Sequence, residues 1–298
     1  MNKPFHRLVV LLIALALPAN CTDDASTPMP SNSNWSEGEQ SSSDAASLAD
    51  SAETRSRNRD APRDRFGHAV IKGVIRFSGD RPDPRHLPMR GDKACHATGR
   101  TVLSQATIIA ETGGVPHVFV FIKKGIDGVY TTPQSHVTLD QIGCMFVPHV
   151  FGMQTGQMLR IINSDRTLHN IHALAKRNEA FNLSQPNTGA VAVKTFTRPE
   201  IMIKFKCDVH GWMDAYCGVL PHPFFAVTDE DGMFEIPRLP AGNYVLEARH
   251  ELWGALHKAI TLQDGETQQV DMTYSYQQNA AASPHGDINL PATRGDAS

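Results

Sequence analysis

One short stretch of the 298-residue chain concentrates soft metal donors: Cys207-Asp208-Val209-His210-Gly211-Trp212-Met213 packs a thiol, an imidazole and a thioether into seven residues. The segment before it alternates, with Ile201, Ile203 and Phe205 against Met202, Lys204 and Lys206. Cys207 continues the apolar series, so its sulfur is expected to point inward with the core face of a strand. The chain must then leave the strand, and a short loop can bring His210 and Met213 back around the same point. A second imidazole comes from Asp165-Arg166-Thr167-Leu168-His169-Asn170-Ile171-His172. If that stretch is extended, His169 and Ile171 share one face and Asn170 and His172 the other, so one histidine can join the cysteine loop. Two imidazoles, a thiolate and a weak thioether form the donor set of a copper site that exchanges single electrons.

Cys-x2-His-x2-Met behind a His-Asn strand resembles the copper loop of the amicyanin- and plastocyanin-like cupredoxins. The stretch from Lys194-Thr195-Phe196 to Cys207 is similar to the strand pair that leads into that loop. The resemblance covers residues 158–214. It implies His169, Cys207 and His210 as strong ligands to one type 1 copper ion, with Met213 as the weak axial ligand. It also implies that Asn170 ties the histidine strand to the cysteine loop, the kind of outer support that orients ligands. Such coordination leaves no open position for a substrate, so an enzyme is not expected. His210 is the expected exit route for the electron, with Trp212 beside it as an apolar docking surface for a transient protein redox partner. The segment 66–157 is longer than a minimal cupredoxin needs.

The five cysteines bear on the competing reading. With Cys21 set aside, Cys95, Cys144, Cys207 and Cys217 permit two disulfides in three connectivities. A Cys207–Cys217 disulfide would leave His210 and Met213 as ordinary loop residues, and oxidising compartments favour such pairing. The copper reading accounts for His169, Asn170, His210 and Met213 together. It makes Cys95–Cys144 the expected disulfide and leaves Cys217 without a role. His149, near Met153, is read as a hydrogen-bonded core histidine in preference to a second soft-metal pair. His172 and His222 are expected to face elsewhere, and His68, His86, His96, His117 and His136 show no site-like spacing.

The elements that must position these groups are strands. Apolar residues recur with period two at 69–77, 159–161, 201–206, 224–228, 233–236, 243–249, 257–262 and 268–274. Val118 to Ile122 is apolar on both faces, like a central sandwich strand. Asp127-Gly128, Asp231-Gly232, Pro240-Ala241-Gly242 and Asp264-Gly265 mark turns. The expected fold is all-β: a cupredoxin-like Greek-key β-sandwich over 66–221. A smaller module over 222–276 resembles the carboxypeptidase regulatory-like (transthyretin-like) β-sandwich, on the pattern of Phe225 to Ile236 followed by Leu239-Pro240-Ala241-Gly242-Asn243-Tyr244-Val245-Leu246. About 55 residues are few for an independent core, so the boundary near Pro221 is soft and Phe66–Phe77 is a candidate extra strand.

Residues 1–21 read as an export signal, with Lys3 and Arg7 before an apolar run from Leu8 to Leu17 that is too short to span a bilayer. Pro18-Ala19-Asn20-Cys21 resembles a bacterial lipoprotein cleavage site and makes Cys21 the candidate lipid-bearing residue. Residues 22–65 read as a polar disordered tether and 277–298 as a tail. The expected location is the periplasm or outer membrane, with membrane contact only through the lipid. A formal charge of −3, from 28 basic and 31 acidic side chains, argues against a nucleic-acid partner. There is no Gly-x-Ser-x-Gly elbow, phosphate loop or His-Glu-x-x-His helix, and Asp229, Glu230 and Asp231 fit turn chemistry. The leading functional expectation is an exported carrier of single electrons between periplasmic partners. The alternatives are copper storage or delivery without redox turnover, and a metal-free structural or ligand-binding β module with a Cys207–Cys217 disulfide.

Overall fold

The computed structural model describes residues 64–89, 92–96 and 102–276. The expected export signal, Cys21, nearly all of the tether and the tail lie outside the described residues. Within them the chain is all-β. In chain order the strands are β1 (Ala69–Gly79), β2 (Phe119–Lys124), β3 (Val137–Ile142), β4 (Met145–Val147), β5 (Val150–Gln154) and β6 (Met158–Asn163). There follow β7 (His169–Leu174), β8 (Phe181–Gln185), β9 (Val191–Thr195), β10 (Glu200–Lys206) and β11 (Asp214–Leu220). The last are β12 (Phe225–Val227), β13 (Met233–Leu239), β14 (Gly242–His250), β15 (Gly254–Leu262), β16 (Thr267–Gln269) and β17 (Met272–Tyr276). No described helix is long and apolar enough to cross a membrane.

Two sheets enclose the core that carries the Cys-His-Met loop. One has the order β5-β11-β10-β7-β8 and the other β4-β3-β6-β9. Both are mixed, since β5 runs parallel to β11 and β3 parallel to β6. Between them lie Leu139, Phe146, Phe151, Leu159, Ile161 and Phe205, all nearly or wholly buried. Leu139, Leu159 and Ile161 alternate with partly exposed neighbours, as period-two burial on one sheet face requires.

The second sandwich departs from the expected division at Pro221. Its sheets have the orders β13-β1-β16, with β17 also paired to β1, and β12-β2-β14-β15. Thus β1, offered from sequence as an extra strand for this module, and β2, assigned to the first unit, both pair with the carboxy-terminal strands. The reason is area: the carboxy-terminal stretch alone cannot bury a core. Ile71, Ile75, Val120 and Ile122 complete one with Ile236, Leu246 and Ile260. The two-faced apolarity of Val118 to Ile122 has the same origin. Val118, Val120 and Ile122 face that core, while Phe119 and Phe121 face outward onto Val150 and Leu220 of the other sandwich.

That contact needs glycine. Gly152 in β5 and Gly218 in β11 are register partners. A Cβ at Gly218 would overlap the Phe119 ring, and one at Gly152 would overlap the Phe225 ring. The paired glycines therefore form a flat slot against which two phenyl rings lie. Gly218→Ala is expected to lower unfolding free energy by about 1–3 kcal/mol through overpacking. Phe119→Leu in the same background should recover part of that loss, and chemical denaturation of the three proteins measures both effects.

Burial also holds the imidazoles of His222 and His250 down to about 4. Both are neutral in the folded protein, and the unfolded chain protonates them near pH 6.5. Unfolded molecules therefore bind more protons between pH 6.5 and 4. Stability should fall across that window as pH drops, by up to about 1.4 kcal/mol per pH unit per histidine. His222→Gln should reduce the slope in denaturation curves taken at pH 7, 5.5 and 4.5.

Candidate metal centre

The loop after β10 closes on itself. The Cys207 N–H donates to the Met213 carbonyl at 3.2 Å, and the Met213 N–H to the His210 carbonyl at 2.9 Å. The His210 N–H points back at the Cys207 sulfur, 3.3 Å away. Cys207, His210 and Met213 are each no more than 2% exposed. β7, antiparallel to β10, brings in His169, which is wholly buried. Ligand atoms of His169, Cys207 and His210 all lie within 4.8 Å of one another.

Asn170 clamps the loop to β7. Its Oδ1 accepts from the Asp208 N–H at 2.6 Å and lies 3.3 Å from the Cys207 sulfur, while its Nδ2 donates to Asp208 Oδ2 at 3.1 Å. His172 stands outside this group and bonds Asp208 at 3.0 Å.

Two carboxylates decide which way the imidazoles face. Asp165 Oδ2 lies 2.9 Å from His169 Nε2, and Asp92 Oδ2 lies 3.0 Å from His210 Nε2. Both acids are held below their usual range. For Asp165, burial pushes the carboxyl up, and His169 with the Cys144 and Gly143 N–H groups outweighs it. Asp92 is lowered by Thr167, by the Ala94 N–H and by His210. An ionised carboxylate only accepts, so each Nε2 carries a proton and each Nδ1 faces inward, where it can hold either a second proton or a metal ion. Those two Nδ1 atoms face each other at 2.9 Å, with the Cys207 sulfur 3.8 Å from His210 Nδ1. Burial raises the Cys207 thiol, but His169 and the surrounding polar groups pull it down to about 7. Burial likewise lowers the His169 imidazole, and Asp165 with Cys207 lifts it to about 9. That raised value expresses the same demand for positive charge: a proton taken up at His169 Nδ1 is the small cation that a metal ion would displace.

Two lone pairs and a sulfur of thiolate character repel one another unless a cation lies among them. Two nitrogens on one tetrahedral ion sit about 3.3 Å apart, so the rings, now at hydrogen-bond distance, would part by only a few tenths of an ångström to admit one. The donor set thus fits a soft or borderline metal ion. Sequence reasoning missed both carboxylates. Asp165 stands four residues before His169 and was legible in principle; Asp92 lies 118 residues from His210, and nothing local marks it.

The expected exposure of His210 is not found. The short helix Lys93–His96 covers it, with Cys95 Sγ 3.6 Å from His210 Nε2. A disulfide joins Cys95 to Cys144. Trp212 turns inward as well: its ring lies 5.0 Å from that of His210 and its Nε1 donates to the Cys144 carbonyl at 3.0 Å. Cys207 and Cys217 are both free thiols. Cys217 is wholly buried in β11 opposite Ile203, and burial raises its thiol well above the usual range. It packs as a small apolar side chain. His149 is buried and bonded to the Asp214 carbonyl and to Glu251, while Met153 turns into the core.

No protein-family model and no curated protein matches the chain. Among solved structures it is similar over part of its length to a copper-containing nitrite reductase from Thermus scotoductus SA-01 (21% identity, TM-score 0.28, 35% of this chain and 25% of that one). It is also similar to the Cu(I) form of a single-site mutant of amicyanin (19%, TM-score 0.26, 28% and 81%). A third is a purple cupredoxin from Nitrosopumilus maritimus (19%, TM-score 0.24, 28% and 97%). The chain therefore spans only a quarter of the nitrite reductase's length.

Asn170→Ala removes the clamp and leaves the Asp208 N–H without its acceptor. It should cost about 1–3 kcal/mol of metal-free stability and weaken metal binding roughly 10–100-fold. Denaturation without metal and a metal titration separate the two effects.

Proposed function

We propose that this is an exported copper protein that carries single electrons and is tethered to a membrane by lipid at Cys21. The observation that carries the reading is the pair of Nδ1 atoms held 2.9 Å apart beside the Cys207 sulfur. Asp92 and Asp165 fix the imidazoles in that orientation. Asn170 holds the loop against β7, and burial excludes water from all four proposed ligands, His169, Cys207, His210 and Met213. Copper bound there would supply reversible exchange of one electron between Cu(I) and Cu(II). A donor set already fixed by hydrogen bonds needs little rearrangement when that charge changes.

A redox partner would meet the Cys95–Cys144 cover rather than the bare His210 ring, so the docking face is the cover and its surroundings. The second sandwich, read as the transthyretin-like module, serves as scaffold, and no catalytic role is proposed. Storage or delivery fits less well, because ligands at most 2% exposed give an incoming metal acceptor no direct access. The metal-free alternative required a Cys207–Cys217 disulfide, and those thiols are unpaired.

Adding Cu(II) to the purified protein should produce an intense thiolate-to-copper absorption band and a narrow-hyperfine electron paramagnetic resonance signal. Both should vanish in Cys207→Ser. Voltammetry should then show a reversible one-electron wave without metal loss. Absence of the band while Cys207 still reacts as a free thiol would refute the copper reading; a band with metal loss on each cycle would favour delivery.

A further inference from the structure

A second cluster of metal-binding groups lies where the two sandwiches meet, and the copper reading makes no use of it. His149 precedes β5, Asp214 opens β11, and His250 and Glu251 stand at the turn from β14 to β15. His117 precedes β2. Ligand atoms of His149, Asp214 and Glu251 all lie within 4.8 Å of one another. His149 is 3% exposed, and its Nδ1 faces the Asp214 carbonyl at 3.2 Å. A carbonyl only accepts, so Nδ1 holds a proton there. That is the arrangement by which a metal-binding histidine is oriented, with the other nitrogen presented to the ion. Its Nε2 faces Glu251 Oε1 directly, so in the metal-free protein it carries a proton that an ion would have to displace.

Two further observations converge on the same place. The His117 ring stands edge-on to His149 at 5.4 Å between centroids. His117 is also held at φ 61°, a left-handed backbone that non-glycine residues adopt rarely and that clusters at functional sites. Asp214 is shared with Lys204, 3.5 Å away, and its side chain is 34% exposed, which leaves a route from solvent.

We propose that His149 and Glu251 are the ligands of a second metal site, with His117 and Asp214 at its mouth, for a divalent cation of the Zn(II), Co(II) or Cu(II) class. Imidazole with carboxylate and no sulfur selects such ions over Cu(I) and over Ca(II) or Mg(II). The site joins residues from both sandwiches, a common position for ligand sites. An ion there would pin β5 and β11 to the β14–β15 turn.

Zn(II) is the probe. Metal retained by the purified full chain after gel filtration is counted by elemental analysis, with alkylation of Cys207 as an internal report on the first centre. Wild type should retain two equivalents and Cys207→Ser one. Glu251→Gln should retain one while still protecting Cys207 from alkylation, which shows that it is folded. His117→Ala, at a partly exposed position, should bind the second equivalent at least tenfold more weakly. A single equivalent in wild type that is lost in Cys207→Ser would overturn the proposal. So would a second equivalent held equally by Glu251→Gln and His117→Ala. One equivalent in wild type that survives Cys207→Ser but not Glu251→Gln would support the second site while the copper centre fails.

Discussion

Two imidazole Nδ1 atoms buried face to face at 2.9 Å need a cation between them, either a proton or a metal ion. Everything around the loop serves to hold that arrangement. Asp92 and Asp165 take the protons at the far side of each ring, and Asn170 takes the loop N–H groups. The loop's own backbone bonds place the Cys207 sulfur beside His210. A buried polar cluster of this kind is costly when partly satisfied and specific when complete.

The architecture follows from one shortage and one surplus of apolar area. The carboxy-terminal stretch is too short to make a core alone, so it captures β1 and β2. β2 in turn has apolar residues left over on its outer face, and these cover the outside of β5 and β11. Gly152 and Gly218 allow that contact by leaving room for Phe119 and Phe225. β11 thus faces the site-bearing core on one side and the second sandwich on the other. Its first residue, Asp214, follows Met213 directly, so the ligand loop is anchored at the seam between the two halves.

The same economy explains the long segment between β1 and β2. Part of it, the helix at Lys93–His96 and the disulfide to Cys144, covers His210 and engages Trp212 through the Cys144 carbonyl. A residue expected to meet solvent is instead fastened by a carboxylate from a distant stretch. The proton-accepting partner and the cover arrive together, because Asp92 also accepts from the Ala94 N–H at 2.7 Å.

Much of the site was legible in sequence, because it depends on local chemistry. Alternation at 201–206 set the direction of Cys207. The three-residue spacings to His210 and Met213 follow from a tight loop, and His169-Asn170 belongs to one extended strand with a two-residue period. The class of fold was legible for the same reason, since period-two burial is a property of neighbours in the chain. Asp92, the cover over His210, the pairing of β2 with late strands, and the meeting of His117, His149 and Glu251 were not legible. Each depends on groups tens to more than a hundred residues apart. Their proximity is decided by which apolar faces must be buried against which, and only the packed tertiary structure settles that.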